Sequence, residues 1–318
     1  MSTEPNAAFQ GNELSPQDRA AEEMVNRSPF MFEHPLAYHP LFDLGRLARL
    51  AEVAIQKGSA DQYLGVEEQQ LSKSERTQRM LDHIAQLNQG MHWLKISAVN
   101  TLSPEYDELL QAFLGQVEAV TGWPVRANIT WAGLDVFMNS PNLQVPYHFD
   151  HDSNFLMQIR GEKDVSLFDP NDRAVLTEAE IEDYYRGNKL AGRYRDELNS
   201  VGQRFHLSPG FGVHHPPLAP HLIRNGSEVS VSAAFYFILP GQERVARVYQ
   251  INHFLRKLRM HPRPPGQSRL SDWAKYAAME SFSNPHPRTY DERLYSGVNR
   301  VASAPKMMKQ VAQLLHRH

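Results

Sequence analysis

The chain has 318 residues, a formal net charge of -3 at pH 7 and no cysteine. Near-zero charge argues against a general nucleic-acid binder. The missing cysteine excludes disulfides, thiolate nucleophiles and cysteine-held zinc or iron–sulfur sites, so any metal must be held by carboxylates and the 15 histidines. No apolar run is long enough to span a bilayer. Residues 1–27 are polar, without the basic and apolar blocks of a signal peptide, and are expected to form a mobile tail on a cytoplasmic protein.

In chain order, the first expected helix runs through "HPLFDLGRLARLAEVAIQKG". It places Leu44, Leu47, Ala48, Ala51, Ala54 and Ile55 on one stripe and ends at Gly58. A second opens with the capping box Ser72 to Glu75 and continues through Met80, Ile84 and Leu87. A third begins with Ser103 as cap and Pro104 at the first helical position, with the stripe Leu109, Leu110, Phe113, Leu114 and Val117. From Val125 the pattern changes, and "VRANITWAGLDVFM" reads as strand. Further strands are expected at Asn154–Ile159, Asp164–Phe168, Gln203–Leu207 and Val229–Phe237, interrupted by a helix capped by Thr177 and Glu180. Helices return at Arg244–Leu258, Ser271–Phe282 and Pro305–His316. The expected division is therefore a tail (1–27), a helical region (28–122), a β core (123–240) built as a barrel or double-sheet roll, and a C-terminal helical region (241–318).

The chemistry concentrates in "VPYHFDHDSNFLMQIRGEK", residues 145–163, where His148, Asp150, His151 and Asp152 lie almost side by side. On a strand, residues two apart share a face, so His148 and Asp150 point one way and His151 the other. Asp152 shares their face. A third ligand is needed, and "SPGFGVHHPPLAPHLIRNGSEVSVS" offers His214, His215 and His221. His214 and His215, beside two prolines, read as loop residues without a ligand role. Two His and one carboxylate on one side of an ion form the facial triad of non-haem iron oxygenases.

Both stretches at full length resemble the JmjC-type, cupin-fold Fe(II)/2-oxoglutarate oxygenases. Within that family the likeness is to protein hydroxylases such as the asparaginyl hydroxylase of hypoxia-inducible factor. The first segment carries His148, Asp150, Asn154, Gln158-Ile159-Arg160-Gly161, Lys163 and "VSLFDP" in the family's order. The second, "PPLAPHLIRNGSEVSVSAAF", places a His after Pro-Pro and three residues, which is His221. The resemblance implies an α+β fold: a double-stranded β-helix with helical segments at both ends. It implies that His148, Asp150 and His221 bind Fe(II) and that Asp152 does not. It also implies that Lys163 pairs with the distal carboxylate of the co-substrate 2-oxoglutarate and that Asn154 helps hold it. The sequence departs from the family at Val145, where many relatives carry a Thr that holds the co-substrate. It departs again at Ala234, near which relatives carry an Asn. A hydroxyl of Ser230, Ser232 or Tyr236 is the candidate replacement.

The implied function is oxidative decarboxylation of 2-oxoglutarate by O₂, coupled to C–H hydroxylation of an unidentified protein side chain or small molecule. The rival readings are a metal-dependent cupin of other chemistry, as an isomerase or a 2-oxoglutarate-independent dioxygenase, and a non-catalytic cupin-like regulator. The first leaves Lys163 without a role, and the second leaves three ligands without one. A stripe of Met307, Val311 and Leu314 beside Met308 and Leu315 makes a homodimer through the C-terminal helices a candidate assembly.

Overall fold

A computed structural model of the chain describes residues 24–62, 72–287 and 289–315. They form two compact units. One comprises the residues up to Pro170 together with Arg195–Ile238; the other comprises Asn171–Tyr194 and the chain from Leu239 onward.

The first unit opens with β1 (Phe30–Glu33), α1 (Leu44–Lys57), β2 (Ala60–Gln62), α2 (Lys73–Ala85), β3 (Trp93–Ile96), α3 (Pro104–Thr121) and α4 (Val125–Asn128). Then follow β4 (Trp131–Asn139), β5 (Gln144–His148), β6 (Ser153–Arg160), β7 (Lys163–Leu167), β8 (Gln203–Leu207), β9 (Phe211–His215), β10 (His221–Asn225) and β11 (Ser230–Ile238). They build a seven-stranded sheet, β1-β9-β6-β11-β4-β3-β2, and a four-stranded sheet, β5-β10-β7-β8. From β4 to β11 the chain alternates between the sheets except at the β7–β8 step, which is a double-stranded β-helix. The core between the sheets joins Leu156 and Ala234 of the larger to Val165, Leu167, Leu207 and Ile223 of the smaller. Strand alternation sends the other face of β6 and β11 toward α3, where Phe113 lies 5.1 Å from Phe155 and 4.9 Å from Phe235, centroid to centroid.

Local chemistry accounts for the ends of these elements. Gly58 terminates α1 at φ 75°, a left-handed conformation natural to glycine. Both bonds of the Ser72–Glu75 box are made at the start of α2. At α3 the expected side-chain cap is absent, because the Ser103 hydroxyl donates to the Glu105 carboxylate instead. The strand expected from Val125 begins only at Trp131. Pro124 leads into one helical turn, closed by the Ile129 amide on the Val125 carbonyl. The short strands β1, β2, β3 and β9 were not expected, and the first third of the unit is less helical than its periodicity implies.

In the second unit, α5 (Glu178–Arg186), α6 (Pro240–Lys257), α7 (Arg269–Glu280) and α8 (Tyr290–Leu315) pack together. Thr177 and Glu180 make both bonds of their box. Arg256 forks onto Glu182 at 2.7 and 2.8 Å, and Tyr185 stacks on Tyr249. α8 starts well before Pro305, because the Thr289 hydroxyl caps the Glu292 amide. The side chains of the C-terminal stripe from Met307 to Leu315 lie outside what is described, as do residues 1–23. Among the described residues no helix is long and apolar enough to cross a membrane.

Candidate metal centre

His148 ends β5 and His221 begins β10, and the two are direct partners in the antiparallel ladder. The register shifts between His221 and Ile223, with three residues on β5 answering two on β10. The unit therefore returns the candidate third ligand beside the first, with the two ring centroids 4.2 Å apart. Asp150 lies two residues beyond the end of β5, so strand parity does not place it. Its backbone does: the Leu218 amide donates to the Asp150 carbonyl at 2.7 Å. Leu218 holds φ 66° in the Pro-rich loop that leads into His221. A non-glycine residue in that region is strained, and the bond to Asp150 locks the two ligand-bearing loops together.

The ring nitrogens are committed in a way that suits a cation. Nδ1 of His148 donates to the Pro146 carbonyl at 2.7 Å, and Nδ1 of His221 donates to the Ala219 carbonyl at 3.0 Å. Each bond fixes the tautomer and leaves Nε2 as a bare lone pair. Both Nε2 atoms face Oδ2 of Asp150, at 3.9 Å and 3.8 Å. These distances are too long for hydrogen bonds, and three acceptors converge with no proton among them. One ligand atom from each of His148, Asp150 and His221 lies within 4.8 Å of the others. This donor set fits a divalent transition metal. Desolvation opposes ionisation of Asp150, but the neighbouring His148, His221 and Lys95 outweigh it and hold the carboxyl below its ordinary range. Burial, then the charges of Asp150 and Asp135, push Asp152 well above that range. His151 and Asp152 sit in the bend after β5 and are not part of the three-ligand set.

A pocket opens beside the triad, lined by Trp93, Phe137, Asn139, Val145, Asn154, Leu156, Lys163, His215, Ile223 and Ala234 as well as the three candidate ligands. Lys163, at the start of β7, is 2% exposed. Among the described residues no carboxylate pairs with it, and burial brings its amine down to about 7. The pocket holds orphaned buried polar atoms: Oδ1 of Asn139, Oδ1 of Asn154 and Nε2 of His215. Of the candidate co-substrate residues, Lys163 and Asn154 reach the lining. Ser232 does not, because its hydroxyl donates to Oε1 of Gln158 at 2.7 Å. Ser230 also bonds to Gln158, accepting from Nε2 at 3.0 Å. Tyr236 lies across from Gly133 in the ladder and is not on the lining.

His214 and His215 are not loop residues, as their neighbouring prolines implied. They belong to β9, paired with β1 and β6, and are 0% and 5% exposed. Strand alternation separates them. His214 faces Phe30 and Phe155, donates from Nδ1 to the Asn154 carbonyl and accepts the Asn26 amide on Nε2. His215 faces the pocket, 4.6 Å from the ring of His221. The sequence reading also missed Trp93, Phe137 and Asn139 as pocket residues. The available signal was the alternation in "WLKI", which puts Trp93 and Lys95 on one face.

Residues 44–291 match the model of a family described as the cupin-like domain. The chain belongs to the cupin-like domain family. No curated protein matches the sequence of this cupin-like chain. Among solved structures it is similar to Escherichia coli YcfD, at 14% identity and a TM-score of 0.45, over 95% of this chain and 69% of that one. A second YcfD structure, described as a ribosomal oxygenase in complex with cobalt and 2-oxoglutarate, matches at 13% identity and a TM-score of 0.44, over 93% and 66%. The DMSP lyase DddQ from Ruegeria pomeroyi matches at 15% identity and a TM-score of 0.22, over 33% and 38%.

Proposed function

We propose that this chain is an Fe(II)- and 2-oxoglutarate-dependent hydroxylase acting on a C–H bond of a protein side chain or small molecule. One observation carries the reading: a single pocket pairs a His–Asp–His set with a buried lysine that has no carboxylate partner among the described residues. Nε2 of His148, Nε2 of His221 and one oxygen of Asp150 would hold the metal, leaving its other positions open. Iron bound there supplies the redox chemistry that couples decarboxylation of a 2-oxo acid to oxygenation of a C–H bond.

The remaining work falls to the chain's own residues. The Pro146 and Ala219 carbonyls keep both imidazoles in the ligating tautomer. The Lys163 amine takes up a proton when a carboxylate enters, and the pair then shares one buried site, as a compact cation on a flexible stem allows. Val145, Leu156, Ile223 and Ala234 form an apolar layer that suits the methylene segment of a five-carbon diacid and excludes water. An isomerase or a 2-oxoglutarate-independent dioxygenase would leave the buried Lys163 unexplained.

The direct test is spectroscopic. Anaerobic protein with Fe(II) and 2-oxoglutarate is expected to develop a weak visible charge-transfer band. Absence of the band, with iron shown to be bound, would sink the co-substrate assignment. A succinate-release screen over peptides, amino acids and sugar-lipid acceptors then addresses the prime substrate.

A further inference from the structure

We infer that His215 is a positioning residue whose Nε2 hydrogen-bonds the metal-proximal carboxylate of the 2-oxo acid, an inference that rests on the functional reading above. The side chain is 5% exposed, yet its buried Nε2 has no hydrogen-bond partner among the described residues. Buried ring nitrogens are rarely left so, because an orphaned polar atom forfeits its bond to water and gains nothing in return. The adjacent His214 shows that the strand itself does not impose this, since both its nitrogens are satisfied. What distinguishes His215 is that it faces the pocket.

Its place along the pocket selects which end of the ligand it meets. His215 packs against ligand His221 and pairs across the ladder with Asn154, so it stands at the metal end. Lys163 pairs with Asn225, four residues along β10 from His221, and so enters from the other end. An extended diacid with one carboxylate at Lys163 brings its oxo-acid end to His215. The side chain is outside the set of three mutually close ligand atoms, so its role is toward the ligand's oxygen and not the metal. Val145 contributes no hydroxyl to this lining, whose polar side chains apart from the triad are Asn139, Asn154, Lys163, His215 and the indole of Trp93.

The test compares His215→Met with His215→Gln, two side chains of similar length of which only Gln carries an amide. Co(II)-loaded protein is titrated anaerobically with 2-oxoglutarate and with 2-oxobutyrate, which lacks the distal carboxylate, and the Co(II) absorption is followed. The Met variant is expected to retain the Co(II) band while its half-saturation rises roughly tenfold to a hundredfold for both acids. Gln is expected to recover most of that loss. Lys163→Met is expected to weaken 2-oxoglutarate only, a split that a general packing defect would not produce. If His215→Met is not tolerated, His215→Leu answers the same question. Unchanged half-saturation overturns the inference, and so does loss of Co(II) binding, which would make His215 a ligand. If wild-type protein binds Co(II) but its spectrum does not respond to either acid, the functional reading fails and this inference with it.

Discussion

At the scale of single residues, the candidate centre depends on which nitrogens are already engaged. Backbone carbonyls occupy Nδ1 of His148 and His221, so removing either ring, or the Asp150 carboxylate between them, removes a preset donor. His148→Ala, Asp150→Ala and His221→Ala are each expected to abolish Fe(II) or Co(II) binding and succinate release, whereas His151→Ala is expected to keep both. Metal retention in the Asp150 variant would contradict the assignment. The buried histidines outside the centre make a separate prediction about pH. His34 accepts the Leu36 amide on Nδ1 and donates from Nε2 to the Phe211 carbonyl, so it is neutral by geometry. Burial lowers its pKa from 6.5 to about 4, and that of His214 to about 3. Because the folded values are depressed, the unfolded chain takes up protons first as pH falls. The stability is complete above about pH 6.5 and is lost between there and about 4, on the order of 3 kcal/mol for His34 alone. Urea unfolding of metal-free protein checks this: His34→Gln is expected to flatten the pH slope, and an unaltered slope rules the account out.

At the scale of elements, the turn between β6 and β7 sets the position of Lys163. Gly161 has φ 68°, and a Cβ there would lie 2.5 Å from the Val229 carbonyl oxygen. Gly161→Ala combines left-handed strain with a backbone clash, so it is expected to cost at least about 2 kcal/mol. By displacing Lys163 it should also raise the 2-oxoglutarate half-saturation; chemical denaturation and the Co(II) titration measure the two effects. The same scale explains what was legible. Helices α1, α2 and α5 carry their own signals, a stripe and a Gly stop or a complete capping box, because those bonds close within a few residues. β1, β2 and β3 carry almost none. Each has three or four residues and exists because a neighbouring strand supplies its hydrogen bonds, as His214 opposite Phe30 and Trp93 opposite Asn139 illustrate.

For the molecule as a whole, the three candidate ligands, all acceptors, converge at the ends of β5 and β10 and their loops in an arrangement that a bound cation would relieve. Divalent metal is therefore expected to raise the melting temperature of wild-type protein, by about 2.7 kcal/mol of stabilisation at a hundredfold excess over Kd, and not that of Asp150→Ala. Equal shifts in both would mean that the metal acts elsewhere. The sequence by itself determined the family likeness, the Gly58 stop and the capping boxes of α2 and α5, most of the long strands, and His148, Asp150, His221 and Lys163 as the residues to watch. These are properties of short contiguous stretches, whose spacing and chemistry persist in any context. Only the tertiary structure decided that Asp150 lies beyond its strand, that Ser232 is committed to Gln158, and that His214 and His215 face opposite sides of a buried strand. Those outcomes depend on which distant segment arrives alongside, because a side chain's partner and its burial are fixed by the sheet's pairing rather than by the residue's neighbours in the chain.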